Sequence, residues 1–239
     1  ETTTKNKGHP FTPSNRMVSY SYVLGDKDVE FKYHTDPDFA PTLLPWEDIT
    51  EYVGFNCKFD LHWLNKHKVT LSPKQKVWDC MLAEFILSGQ TARFISLNET
   101  LESYGLPLKH DEVAAMWKVG IDTPDIPRNI LEVYGNYDVT SVKQVQEIQQ
   151  SCMSDAQITL CYLMGEDLKT LQHAEYHGIK WNEAKATELT TSLEAALVEI
   201  NSSLSHYLPE ILYGSFNSAR HLQIWGEKGT GVHQKLLAH

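Results

Sequence analysis

Three carboxylates stand apart in this chain by their settings. Glu1 opens it and is followed by Thr2, Thr3 and Thr4. Asp60 comes just after the run Gly54-Phe55-Asn56, where a strand ends and a helix begins. Asp138 follows Tyr134 by one helical turn. Carboxylate oxygens are the donors that hard divalent cations take. Ligand sites in α/β sheets lie at the carboxyl ends of strands, which suits Asp60. Residues four apart on a helix share a face, so Tyr134 and Asp138 can turn toward one site. Each residue also has a plain reading. Asp60 can be a helix N-cap, and Tyr134 with Asp138 can be half-buried packing beside a solvated charge.

The elements that must position them follow from patterning. Residues 16–24 are rich in Val, Tyr and Ser, Gly25-Asp26 marks a turn, and Val29, Phe31 and Tyr33 alternate with polar residues. That pair predicts a hairpin. Tyr52 to Phe55 and Val77-Trp78 predict two short strands, each leading into a helix. The first of these helices carries Phe59 and Trp63, and the second ends at Gly89. Leu97, Leu101 and Tyr104 mark a further helix, stopped by Gly105 and Pro107. Pro127 suits the first turn of a long helix running to about Gln150. Another follows from Ser154 to His177-Gly178, and a last one starts at Asn182. Its stripe of Leu189, Leu193, Leu197, Ile200 and Leu204 predicts a core face. Strands first and helices after predict a mixed-sheet α/β domain over residues 1–150, then a helical segment and a Gly-rich tail within 151–239.

Composition narrows the partners. With 21 basic and 31 acidic residues among 239, the formal charge is −10. Such a chain does not coat a nucleic acid through a broad basic face, though it can handle a few nucleotides through metal ions. No apolar run approaches the ~18 residues of a membrane span, so no membrane partner is expected. Cys57, Cys80, Cys152 and Cys161 form no CxxC pair. Free buried thiols in a reducing compartment are expected, with zinc or a disulfide as the alternatives.

The order of the acidic motifs carries a resemblance. Glu1-Thr2-Thr3, then Gly54-Phe55-Asn56-Cys57-Lys58-Phe59-Asp60, then Tyr134-Gly135-Asn136-Tyr137-Asp138 resembles the DEDD-type 3′–5′ exonucleases. The tyrosine one turn before the last aspartate marks the DEDDy branch. Residues 77–83 and Ile126-Pro127 are similar to the proofreading domain of family A DNA polymerases, with a compact, phage-type layout. Residues 171–181, Phe216-Asn217-Ser218 and His221-Leu222-Gln223 resemble the entry into that family's polymerase region. The resemblance implies a ribonuclease H-like α/β fold with a mixed sheet, and hydrolysis at single-stranded DNA 3′ ends. It implies two Mg²⁺ or Mn²⁺ ions, held by Glu1, Asp60 and Asp138. Two such ions generate the nucleophile and stabilise the leaving oxygen. Tyr134 would orient the attacking water, Asn56 would brace the site, and Thr2 would touch the terminal nucleotide. The partners implied are a DNA 3′ end and a polymerase region in the same or a companion chain. A cytoplasmic setting, that of the host for a phage protein, goes with this.

Two departures qualify the expectation. The family's first motif is Asp-x-Glu, and the chain begins at the glutamate, so a chain trimmed at its start is expected. Residues 209–239 hold no pair of polymerase carboxylates, so this chain is not expected to polymerise by itself. A free-standing RNase D-like nuclease acting on RNA, and an inactive exonuclease fold that guides DNA, are the alternatives.

Other features have plain readings. His173 and His177 share a helix face, as half of a zinc site or as a polar helix end. The glycines of residues 226–231 suit a loop rather than a phosphate-binding motif. Asp79, at a helix entry, reads as an N-cap rather than a further metal ligand.

Overall fold

A computed structural model describes residues 1–91, 95–108 and 112–205, with no side-chain description for 204 and 205. The fold is mixed α/β, with small sheets and mostly helix. The chain divides into two units, Glu1–Gly178 and Ile179–His239.

In the first unit, β1 (Ser19–Tyr22) pairs antiparallel with β2 (Glu30–Tyr33), with Ser19 opposite Tyr33. This is the expected hairpin. Residues 1–3 run antiparallel beside the approach to β1. Thr2 bridges Met17, and Val18 N–H donates to the Glu1 carbonyl at 2.8 Å. The two further strands, β3 (Glu51–Gly54) and β4 (Lys76–Asp79), pair in parallel. They are joined by α1 (Cys57–Lys66), because parallel strands need a crossover. Among the described residues both senses of pairing occur, but in two separate two-stranded sheets rather than one mixed sheet.

The helices are α2 (Cys80–Leu87), α3 (Leu97–Ser103), α4 (Glu112–Lys118), α5 (Arg128–Cys152) and α6 (Asp155–His177). Ser154 caps α6 in a reciprocal box with Gln157. Pro127 is the N-cap of α5 rather than a first-turn residue. Its absent N–H is of no consequence there. The short α4 was not expected, although Val113, Met116 and Trp117 have helical spacing.

Three apolar clusters hold these elements. Trp78, Cys80, Ala83, Leu101, Val145 and Cys161 bury β4 and α2 against α5 and α6. Val18, Val113, Ile126 and Leu131 join the hairpin to α4 and α5. Cys57, Leu61, Val77 and Leu168 seat α1 and α6 on β4. Helix α6 comes close to β4 because Gly165 has no side chain. A Cβ there would lie 2.3 Å from the Val77 carbonyl oxygen. Cys57, Cys80 and Cys161 are buried free thiols, as expected, and Cys152 is free but exposed.

In the second unit, α7 (Glu183–Ser205) starts where expected, with Asn182 Oδ1 accepting from Lys185 N–H at 3.0 Å. The expected core stripe is not buried. Leu189, Leu193, Leu197 and Ile200 are each more than half exposed. The side chain of Leu204, the segments 216–218 and 221–223, and the glycines of 226–231 lie outside the described residues. Among the described residues no helix is long and apolar enough to cross a membrane.

Candidate active site

Glu1 is fixed by the strand-like pairing of residues 1–3 with 16–19. Its carbonyl accepts from Val18 and Ser19 N–H, and Thr3 N–H donates to Arg16 O at 3.0 Å. The same segment is tied to the approach of α5. Thr123 Oγ1 donates to the Thr2 carbonyl at 2.6 Å. Thr4 donates to Asp122 Oδ1 through its N–H at 2.7 Å and its hydroxyl at 2.9 Å. Glu1 is thereby linked to the helix that carries Asp138.

Asp60 lies in the first turn of α1, beyond the carboxyl end of β3. It is not the N-cap. Asn56 holds the cap position in a left-handed conformation, φ 62°, which asparagine tolerates better than most residues. The Asn56 side chain makes no capping bond and is exposed, so its contribution here is conformational. Asp79 supplies the cap in its place. It accepts from Asn56 N–H at 3.0 Å and Cys57 N–H at 2.8 Å, and from Met81 N–H at 2.9 Å at the start of α2. The N-cap reading of Asp79 therefore holds, and it extends to two helices. Gly54 leaves room at the strand end, since a Cβ there would lie 3.9 Å from Asp60 Oδ2 and 2.9 Å from Cys57 Sγ.

Asp138 sits on the inward stripe of α5, between buried Leu131 and buried Ser141, Val145 and Gln149. Its Oδ1 is shielded from solvent. Tyr134, one turn earlier, packs its ring edge-on to Trp117 at 5.9 Å and against the Val18–Leu131 cluster. It also lines a groove of about 510 Å³ with Ile130, Val133, Asn136 and Tyr137.

Electrostatics join the carboxylates. Burial pushes the Asp60 carboxyl up to about 7. The Glu1 ammonium opposes the rise, and the charges of Glu1, Asp79 and Asp138 add to it. Like charges gathered around a poorly hydrated carboxyl favour its neutral form. The structure thus brings Glu1, Asp60 and Asp138 within electrostatic reach from three separate elements. Among the described residues no three His, Cys, Asp or Glu side chains close around a point as a metal cage. The donor set is nonetheless all oxygen and carries excess negative charge, which fits hard divalent cations.

Sequence reasoning missed two supports of this arrangement. Lys58 and His62 on α1 both bind Glu175 on α6, at 2.7 and 2.9 Å. Their spacing of four was legible, but the partner was not. Asn15 is buried, and its amide donates to the Lys5 and His9 carbonyls, with nothing local to mark it. His173 and His177 stack on each other at 4.2 Å at the end of α6.

No protein-family model, curated protein or solved structure matches this chain.

Proposed function

We propose that the chain is a metal-dependent 3′–5′ exonuclease of the DEDDy type with a ribonuclease H-like fold. In this reading it shortens single-stranded DNA 3′ ends as the proofreading part of a family A DNA polymerase. One observation carries the reading. Three acids far apart in sequence, Glu1, Asp60 and Asp138, lie within electrostatic reach of one another, and burial, joined by the charges of Glu1 and Asp138 and opposed by the Glu1 ammonium, raises the Asp60 carboxyl to about 7. Carboxyls perturbed by burial and by nearby like charge mark candidate functional sites.

Glu1, Asp60 and Asp138 would hold the divalent ions, Mg²⁺ or Mn²⁺. When bound, such ions supply a hydroxide near neutral pH and neutralise the leaving oxygen. Asp60 would have to be deprotonated to hold an ion. The Tyr134 hydroxyl orients the attacking water, and its ring is held for this by Trp117. Thr2, whose carbonyl is pinned by Thr123, borders the terminal nucleotide. Melting a mispaired terminus is easier than melting a matched one, so a site for single strands edits selectively.

The test is a 5′-labelled single-stranded DNA oligonucleotide with Mg²⁺ or Mn²⁺, a chelator control and Asp138→Ala. A matching RNA strand reports the sugar preference. The chain is assayed beside a version extended at its start by an aspartate and one apolar residue, which completes an Asp-x-Glu motif. A metal-dependent ladder shortening from the 3′ end and lost in Asp138→Ala is expected, strongest in the extended version. No shortening of either strand by either version overturns the reading.

A further inference from the structure

The segment that follows Glu1 has an unusual charge. Residues 2–25 contain Lys5, Lys7 and Arg16 and no acid, in a chain of net charge −10. Its backbone is unusual as well. Asn6 and Lys7 are left-handed, φ 48° and 55°, and Gly8 continues the turn at φ 69°. A lysine is disfavoured there, so the turn persists only where its surroundings enforce it.

Those surroundings are specific. Asn15 donates to Lys5 O at 2.6 Å and His9 O at 3.0 Å, and Trp63 Nε1 donates to Gly8 O at 3.2 Å. Lys66 Nζ donates to Pro10 O at 3.0 Å and Asn15 O at 2.7 Å. Every one of these bonds goes to backbone. Lys5 and Lys7 are exposed, and among the described residues neither takes part in a salt bridge. A rigid turn therefore presents two ammonium groups to solvent.

Its place matters most. A Cβ on Gly8 would lie 2.5 Å from Thr2 Oγ1 and 3.6 Å from Phe59 Cζ. Thr2 adjoins Glu1 and Phe59 adjoins Asp60, so the turn stands on the rim of the carboxylate cluster. That cluster repels a polyanion, and the acidic chain offers little long-range attraction to offset it.

We propose that Lys5 and Lys7 hold backbone phosphates of a single-stranded polynucleotide upstream of the bond presented to the carboxylates. This rests on the nuclease reading above. Lysine suits the task, because its compact ammonium binds phosphate as a point charge and reads no base.

The test compares the chain with Lys5→Gln/Lys7→Gln and Lys5→Arg/Lys7→Arg. One arm follows hydrolysis of the p-nitrophenyl ester of thymidine 5′-phosphate, which has a single phosphate. The other measures binding of a labelled single-stranded oligonucleotide by fluorescence anisotropy over a salt series, and needs no turnover. The glutamine variant should keep ester turnover within about twofold, because its lost charges face only the missing upstream phosphates. Its slope of log affinity against log salt should shrink by about 1.4, at about 0.7 per phosphate on single strands. The arginine variant should keep the original slope. An unchanged slope in the glutamine variant overturns the proposal, whatever the ester shows. A reduced slope with no ester turnover and no strand shortening in any version keeps the polyanion site and overturns the nuclease.

Discussion

Asp79 accepts the backbone N–H of Cys57 at 2.8 Å, so the carboxylate at the end of β4 caps the helix that follows β3. The same side chain caps α2 through Met81. Two parallel strands and the starts of two helices thus meet on one buried acid. Asp79→Ala removes the acceptor for three backbone N–H groups at once. Each lost charged hydrogen bond leaves a donor without its partner, so a loss of about 3 kcal/mol is expected. Urea unfolding checks it, and an unchanged midpoint would refute the double cap.

The raised Asp60 carboxyl has a signed consequence for stability. Its folded value of about 7 stands above its ordinary 3.8. The native state therefore holds the proton more tightly than the unfolded chain. The stabilisation is complete below pH 4 and is lost as pH rises through 7. Asp60→Asn keeps the shape without the charge. In chelator it should be more stable than the original at pH 8, by up to about 4 kcal/mol, and equal to it near pH 4. Thermal melts at the two pH values decide this, and a pH-independent difference would count against the cluster.

The Trp78 indole donates to Gln149 Oε1 at 3.1 Å, and the Gln149 amide donates to Cys80 O at 2.8 Å and Glu84 at 2.7 Å. All of this lies in the main apolar cluster. Gln149→Ala leaves the indole N–H and the Cys80 carbonyl buried and unsatisfied. A cost of about 3 kcal/mol is expected, with a change in tryptophan emission. A variant as stable as the original would show that water replaces the amide.

Gly165 gives the sharpest packing test. Alanine is worth about 1 kcal/mol over glycine within a helix. Here the added carbon meets the Val77 carbonyl oxygen, which belongs to β4 and cannot turn aside. Gly165→Ala should therefore destabilise, by about 2 kcal/mol net of the helix gain. A rise in melting temperature would show that α6 does not rest on β4 at this point.

Tyr134→Phe separates packing from chemistry. The ring contact with Trp117 stays, and only the hydroxyl is lost. If the hydroxyl orients the attacking water, strand shortening should slow by about 100-fold with no change in oligonucleotide binding. Unimpaired shortening would remove Tyr134 from the reaction.

Much of this was legible because it is local. The hairpin, the β3–α1 and β4–α2 transitions, the start of α6 and the Asn182 cap rest on patterns a few residues long. The stripe of α7 shows the limit of such patterns. Its spacing predicts a buried face, yet Leu189, Leu193 and Leu197 are more than half exposed, because burial depends on a second surface that spacing does not specify. The single mixed sheet was a similar overreach, because strand propensity does not say which ladders join.

The sequence by itself singled out Glu1, Asp60, Tyr134 and Asp138 as candidates and outlined the elements around them. Only the tertiary structure decided that Glu1, Asp60 and Asp138 lie within electrostatic reach of one another. Residues 1, 60 and 138 are brought together by ties that no short pattern encodes: Thr2 and Thr4 to the 122–123 turn, and Asp79 to the start of α1. The rise in the Asp60 carboxyl is likewise a property of the assembled site. Burial and like charge act through space, and neither exists along an extended chain.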